Sequence, residues 1–406
     1  MKKVFAMLVC LLLVMSSVSF ASASAVMELE YIIHKSESEA IEGMQKVIDM
    51  FNAANPDIHI TLTPTPDFGT VIQTRAQTNE MPDLFSCTTN NLYEIMFEDG
   101  LIMDLTGQAF LENVEAETLA LSTYKDKNWR LPYSLSCYGL YIRTDIFEEH
   151  GIEWPTTWEE LMAVCDKLNE AGITPFVVPD KSLSMVAQRL ERMMGIIDST
   201  DDEFKDIAAG EVKPEDSKVL TTFAKAFVDI ANNTTPESLG AEMPESYQDL
   251  IANKAAMTIN GTWSLATMKS YDENIKVALV PLPNPAGGDA KVPVSIDTSF
   301  CISSSTKYPE ACLRFLDFLS KTETAQVYTD IECSPNVILG VEYNVPEFAS
   351  IVEKLNAGDI FISLNAIWPS GFRNDLRDPA QMLIIDKNID AFINEAGRVI
   401  DEYYNN

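Results

Sequence analysis

Between Trp129 and Leu161 two apolar, strand-like runs meet at Ser134 to Gly139, and this junction constrains the fold more than any other stretch. The second run leads through an acidic turn and Gly151 into Pro155-Thr156-Thr157-Trp158-Glu159-Glu160. Thr157 followed three residues later by Glu160 is a capping box, in which the hydroxyl and the carboxylate each take up an orphan amide of a helix start. Trp158, Leu161, Met162, Cys165 and Leu168 then recur at helical spacing until Gly172 stops the helix. Such an order describes a chain crossing from one lobe into another. Length agrees, since a mature chain of about 380 residues exceeds what a single core organises.

The lobes read as α/β. Leu29 to Ile33 is a strand, and Ile41, Met44, Val47, Ile48 and Phe51 give the apolar face of a helix that ends before Asn55-Pro56. Ile58, Ile60 and Leu62 alternate with His59, Thr61 and Thr63 as a half-buried strand. Strand, helix and strand imply a parallel crossover. Pro82 to Phe85 predicts a further strand, with Ser86 to Asn91 as a polar loop at its carboxyl end, where ligands gather in open α/β sheets.

At the junction the chain resembles the sugar-binding family of extracellular solute-binding proteins, the receptors of ABC importers. The resemblance rests on an ordered string: Leu131-Pro132-Tyr133, Gly139-Leu140-Tyr141, the turn from Asp145 through Phe147 to Gly151-Ile152, and Pro155 to Leu161. It continues through Phe51-Asn52, Asn55 to Ile58, Met81 to Leu84, Gly100 to Leu105, Ala255 to Met257, Asn260 to Trp263, Pro281 to Pro283 and Ser303 to Leu319. It implies a two-lobed periplasmic-binding-protein (Venus flytrap) fold, each lobe a discontinuous α/β sandwich, with an interlobe cleft. The expected division is a signal peptide at 1–25, a first lobe of 26–135 and 291–332, and a second of 136–290 and 333–406. Crossings are expected near Ser134 to Tyr138, Pro283 to Pro293 and Asp330 to Pro335. Carbohydrate is the implied ligand, most naturally an oligosaccharide or modified sugar, and the transmembrane subunits of an ABC permease are the implied partner of a monomer.

Lys2 and Lys3, the apolar run Val4 to Met15 and the small residues Ala21 to Ala25 make a secretory leader, which predicts export to the periplasm or the outer face of the membrane. Cys10 is not a lipid-anchor cysteine on this reading, because Val9 stands where that processing needs a small residue. A net charge of −32 repels nucleic acid and anionic membrane surfaces. None of the cysteines after the leader forms a C-x-x-C pair, and Cys165 and Cys312 fall on apolar helix stripes, the usual place of a buried thiol.

A neutral sugar offers hydroxyls and C–H patches, so its receptor needs flat aromatic faces beside planar amides and carboxylates. Burying one such ring removes about 150–250 Å² from water, roughly 4–6 kcal/mol before ordering costs. Trp263, after the apolar Ala256 to Ile259 and a Gly261 that permits a tight turn, is the first choice. Trp368, in a loop bearing Pro369 and Gly371, and Tyr138, beside the crossing, are the other aromatic candidates. Arg373 and Asn365 are polar neighbours of Trp368; Asn90 and Asn91 come from the first-lobe loop, and His34 and Glu37 follow the first strand. Asp297 alternates with Ile296, which leaves it either facing the cleft or bonded in the hinge. Asp67 and Gln188 are placed by the resemblance alone. Trp154 and Trp158 read as structural.

Catalysis finds little footing. Neither G-x-S-x-G nor H-E-x-x-H occurs, no phosphate loop is present, and three scattered histidines give no zinc constellation, so no cofactor or metal is expected. Three other readings stay open: a secreted carbohydrate-active enzyme using the cleft, the same fold holding a polyamine, a phosphorylated polyol or an acidic sugar, and a sensory or adhesive protein that binds sugar without a permease. Arg373 and Arg377 leave an anionic ligand open, whereas acidic cleft residues would favour a cation.

Overall fold

The computed structural model describes residues 26–65, 68–88 and 91–405; the leader read at 1–25 and the candidates Asp67 and Asn90 lie outside the described residues. Eleven strands occur among them: β1 Met27–Ile33, β2 Ile58–Pro64, β3 Leu84–Cys87, β4 Thr123–Tyr124, β5 Lys127–Asn128, β6 Leu131–Arg143, β7 Thr174–Phe176, β8 Ala255–Gly261, β9 Val277–Val280, β10 Val292–Ile302 and β11 Ile360–Ile362. The main ladder runs β2-β1-β3-β10-β6-β8-β7, with β9 on β6 and β11 on β10. As the alternation predicts, β1 and β2 are parallel, Leu29 opposite Ile60, and the helix Ser38–Ala54 connects them. The predicted capping box forms, the Thr157 hydroxyl accepting from the Glu160 amide at 3.2 Å.

One ladder runs through the molecule, but two hydrophobic interiors lie along it. Leu131 and Tyr133, at the start of β6, pack with Leu29, Tyr31, Met44, Phe300 and Phe315. Tyr138, Leu140 and Ile142, further along the same strand, pack with Phe176, Ile259, Val280 and the helices of the second lobe. Strand β10 makes the reverse passage: Val292 and Val294 lie with Leu279 in the second lobe, Phe300 and Ile302 in the first. The two-lobed α/β arrangement with discontinuous lobes is therefore built on two antiparallel strands that each serve both cores. Their register shifts between Ile296 and Ser299, where the cores part. Gly139 lets β9 close on β6, since a Cβ there would stand 2.3 Å from the Val280 carbonyl oxygen.

Three local expectations change. The third strand is Leu84–Cys87, two residues later than predicted, because Phe85 to Cys87 are held on β10 from Cys301 to Ser299; Ser86 is therefore buried strand and Asn91 opens the helix Asn91–Glu98. The second crossing is β10 itself, not the turn-forming stretch before Pro293. Past the third crossing, Val337 donates to the Tyr133 carbonyl at 3.0 Å, and Val337 and Ile338 still belong to the first interior. Trp154, expected to be structural, is 45% exposed, whereas Trp158 is buried and donates to Asp229 at 3.2 Å.

A buried ionic node sits where the crossings meet. Lys35, just past β1, is 4% exposed; its ammonium contacts Asp297 of β10 and lies 2.8 Å from Glu332 Oε1. Glu332 closes the helix Thr322–Glu332, and Cys333 turns the chain through a left-handed φ of 60° into the third crossing. Burial alone would lower the Lys35 pKa, but Asp297, Glu332 and Glu37 outweigh it and hold the ammonium well above the ordinary lysine value. Burial also raises the Glu332 carboxyl, against the opposing pull of Lys35.

Removing one member of such a node strands the others without compensation. Lys35→Met is expected to cost about 3–5 kcal/mol of unfolding free energy, and adding Asp297→Asn with Glu332→Gln to recover most of that loss. Urea denaturation of the three proteins measures both; an unchanged midpoint in Lys35→Met would show the node to be energetically idle.

Candidate functional site

A cavity of about 300 Å³ opens between the lobes, beyond the carboxyl ends of β1 and β3. The first lobe contributes His34, Lys35, Glu37 and Thr88; the crossing strands form its floor with Ser136, Ser295 and Asp297. The second lobe contributes Gln188, Arg192, Trp263, Asn365 and Arg373. Seven sequence-predicted residues thus converge on it: His34, Glu37, Gln188, Trp263, Asp297, Asn365 and Arg373. A smaller chamber of about 170 Å³ adjoins and shares Asn365 and Arg373.

Strand β8 delivers Trp263 at its carboxyl end, at the start of the helix Ser264–Tyr271. Gly261 serves this placement differently from the predicted turn. Its φ is not in the left-handed region, and a Cβ would stand 1.9 Å from the indole Cζ3, so glycine is required for the ring to lie on the backbone. The Tyr138 ring lies behind at 6.1 Å between centroids. The Arg192 guanidinium is 5.0 Å from the Tyr138 centroid and 5.7 Å from that of Trp263, within cation–π range of both. A positive group thus backs a ring presented to the cavity.

Hydrogen bonds fix the His34 ring in place. The Ser86 hydroxyl oxygen accepts the His34 backbone N–H at 3.0 Å and lies 2.6 Å from Nδ1. Either atom of that pair can be the donor, depending on which nitrogen carries the imidazole proton. Nε2 is buried and makes no close hydrogen bond among the described residues, while the Asp297 backbone also acts on the ring. Burial first, then the Lys35 charge, pushes the His34 pKa down to about 3, so the ring is neutral across the physiological range. Asp297 lines the cavity and also pairs with Lys35. Ser136 and Ser295 bond to each other at 2.8 Å across the crossing strands.

The two remaining aromatic candidates are buried, Tyr138 behind Trp263 and Trp368 against the smaller chamber. Tyr138 is 1% exposed, its hydroxyl reaching the Ile259 carbonyl at 3.4 Å. Trp368, also 1% exposed, packs edge-on against Phe372 at 5.1 Å and near Phe204 at 5.8 Å. Its loop is covered by the helix Phe372–Asp386 and by Phe204, so Pro369 and Gly371 do not keep it in solvent. Asn91 stands at the start of its helix.

Sequence reasoning missed Lys35, Arg192 and the buried Glu191 behind them. Glu191 accepts from the Ser363 hydroxyl at 2.7 Å, from the Asn365 amide at 3.3 Å and from Arg192 at 3.2 Å, fixing the wall that carries Asn365. The signal was present: Glu191 and Arg192 interrupt the apolar helix Leu183–Ile197 between Leu190 and Met193, where charge is costly unless used.

A family model for bacterial extracellular solute-binding protein matches residues 35–326. The multiple sugar-binding protein of Streptococcus mutans is 24% identical over 325 residues, 77% of this chain and 76% of its own. The melibiose/raffinose/stachyose-binding protein MelE of Bacillus subtilis is 21% identical over 311 residues, 74% of this chain and 72% of its own. The solved structure of SBP RafE in complex with raffinose superposes with a TM-score of 0.85 at 18% identity, over 93% of this chain and 100% of that one, and shows the fold to be shared. The family model spans well over half of the sequence, and the chain belongs to the bacterial extracellular solute-binding proteins, a family of non-enzymatic receptors.

Proposed function

We propose that this chain is the receptor of an ABC importer, exported by its leader, which closes on an oligosaccharide between its lobes and passes it unreacted to the transmembrane subunits. The observation that carries this reading is a cavity bordered by both lobes in which an indole backed by Tyr138 and Arg192 faces hydroxyl, amide and imidazole groups. Closure needs no chemistry: contacts from both walls exist together only in the closed form, so ligand shifts the population by its differential affinity. Both walls come from one chain, so a monomer suffices. The first lobe would comprise 26–135 and the stretch from 291 to about 340, and the second the remainder. Relatives named for multiple sugars and for melibiose, raffinose and stachyose support carbohydrate as the class.

Trp263→Ala is expected to weaken oligosaccharide binding at least tenfold, roughly 1.4 kcal/mol, and Gly261→Ala to approach the same loss because the added methyl displaces the indole. Calorimetry on the folded variants decides, and unchanged affinity in both would remove Trp263 from the site. Mass spectrometry of oligosaccharides incubated with the protein is expected to return them intact; cleaved products would overturn the receptor reading.

The imidazole supplies a pH test. A histidine whose folded pKa lies at about 3, below its ordinary value of 6.5, contributes stability that is full above 6.5 and lost as pH falls toward 3. NMR titration of His34 is expected to show no inflection between pH 5 and 8; one near 6.5 would place the ring in solvent.

A further inference from the structure

The cavity is electrically lopsided, and the imbalance points to the ligand's chemistry. At the Lys35 end one ammonium faces three carboxylates, those of Asp297, Glu332 and Glu37. At the other end Arg192 and Arg373 border the cavity, and the carboxylate near both is Glu191, which is fully buried. Glu191 is already engaged by Arg192, Ser363 and the Asn365 amide. Arg189, one turn before, is matched by Asp180 and adds nothing to the count.

Arg373 is left over. It makes no ion pair or hydrogen bond among the described residues, and its Nε is buried without a partner. The guanidinium stands where the larger chamber meets the smaller, in the first turn of the fifteen-residue helix Phe372–Asp386. Gly371 opens that helix without a side-chain cap. The acid of the first turn, Asp375, is held by the Tyr403 hydroxyl at 2.7 Å. A guanidinium keeps its proton throughout the physiological range, so this partly exposed and unmatched cation, with its Nε buried, is open to an oxyanion from the cavity.

Resting on the receptor reading above, we propose that the oligosaccharide carries a carboxylate, as a uronic acid unit does, and that Arg373 receives it at the junction of the two chambers with Arg192 beside it. Charge decides between oxyanions. Two guanidinium groups against one carboxylate leave a single positive charge, which one carboxylate balances, whereas a phosphate ester brings about −1.5 to −2. The planar carboxylate also matches the fork of a guanidinium. The acidic Lys35 end repels the same group, so the ligand enters in one orientation.

The test is calorimetry on the mature chain with uronate-containing di- and trisaccharides, each paired with its neutral counterpart, together with raffinose and galactose 6-phosphate. The expected result is that the tightest ligand is a uronate, about tenfold or more above its neutral partner, with an advantage that shrinks as salt is raised. Arg373→Gln is expected to shrink that ratio, and the salt response of the unaltered protein tests the idea even if the variant fails to fold. Neutral members binding as tightly as their acidic partners would overturn this inference and leave the receptor reading standing. Tightest binding of the phosphate would overturn the choice of carboxylate. No binding by any sugar would sink both.

Discussion

One buried ammonium, that of Lys35, is the constraint on which the arrangement turns. It meets a carboxylate on the second crossing strand and another at the entrance to the third crossing, so the end of β1, the middle of β10 and the end of the helix Thr322–Glu332 are held at one point. An ion this deeply buried is poor evidence of net stability, because desolvation consumes most of the attraction. What it specifies is position. Asp297 on the cavity floor and His34 and Glu37 on the cavity wall are set by the same node, which is why the hinge and the site cannot be separated.

Above that floor the second lobe presents a layered structure in which each layer licenses the next. Glu191 fixes Arg192 and the segment around Ser363 to Asn365; Arg192 lies over Tyr138 and Trp263; Gly261 lets the indole rest on bare backbone. Cation–π attraction strengthens when the cation is desolvated, and Arg192 is only 7% exposed. The walls then leave two buried nitrogens without a close hydrogen-bond partner, Nε2 of His34 and Nε of Arg373, one from each lobe. Unpaired buried polar groups on facing walls cost stability in the empty receptor and favour any guest that satisfies both.

Much of the fold was legible because its signals are local. The capping box at Thr157 and Glu160, the β1-helix-β2 crossover, the buried Cys165 and Cys312 and the passage of β6 between lobes follow from patterns within a few residues of themselves. Part of the cavity lining was legible too, since His34, Glu37, Trp263 and Asp297 lie at or near strand ends, where α/β sheets gather ligands. Trp368 and Tyr138 are more deeply buried than their sequence surroundings suggest, for one reason. A loop or a crossing looks exposed in one dimension, while the helix Phe372–Asp386 and the indole of Trp263 that cover them arrive from elsewhere in the chain.

By itself the sequence determined the periodicities, and through them the α/β character, the two lobes and the residues standing at strand ends, because hydrophobic spacing and capping act over one or two turns. Only the tertiary structure decided which charges meet. That Lys35 would be consumed by Asp297 and Glu332, and that Arg373 would be left unmatched beside a fully engaged Glu191, depends on pairs separated by up to 297 residues along the chain, roughly. Electrostatic partnership falls off with distance in space and takes no account of distance in sequence, so no local pattern could announce it.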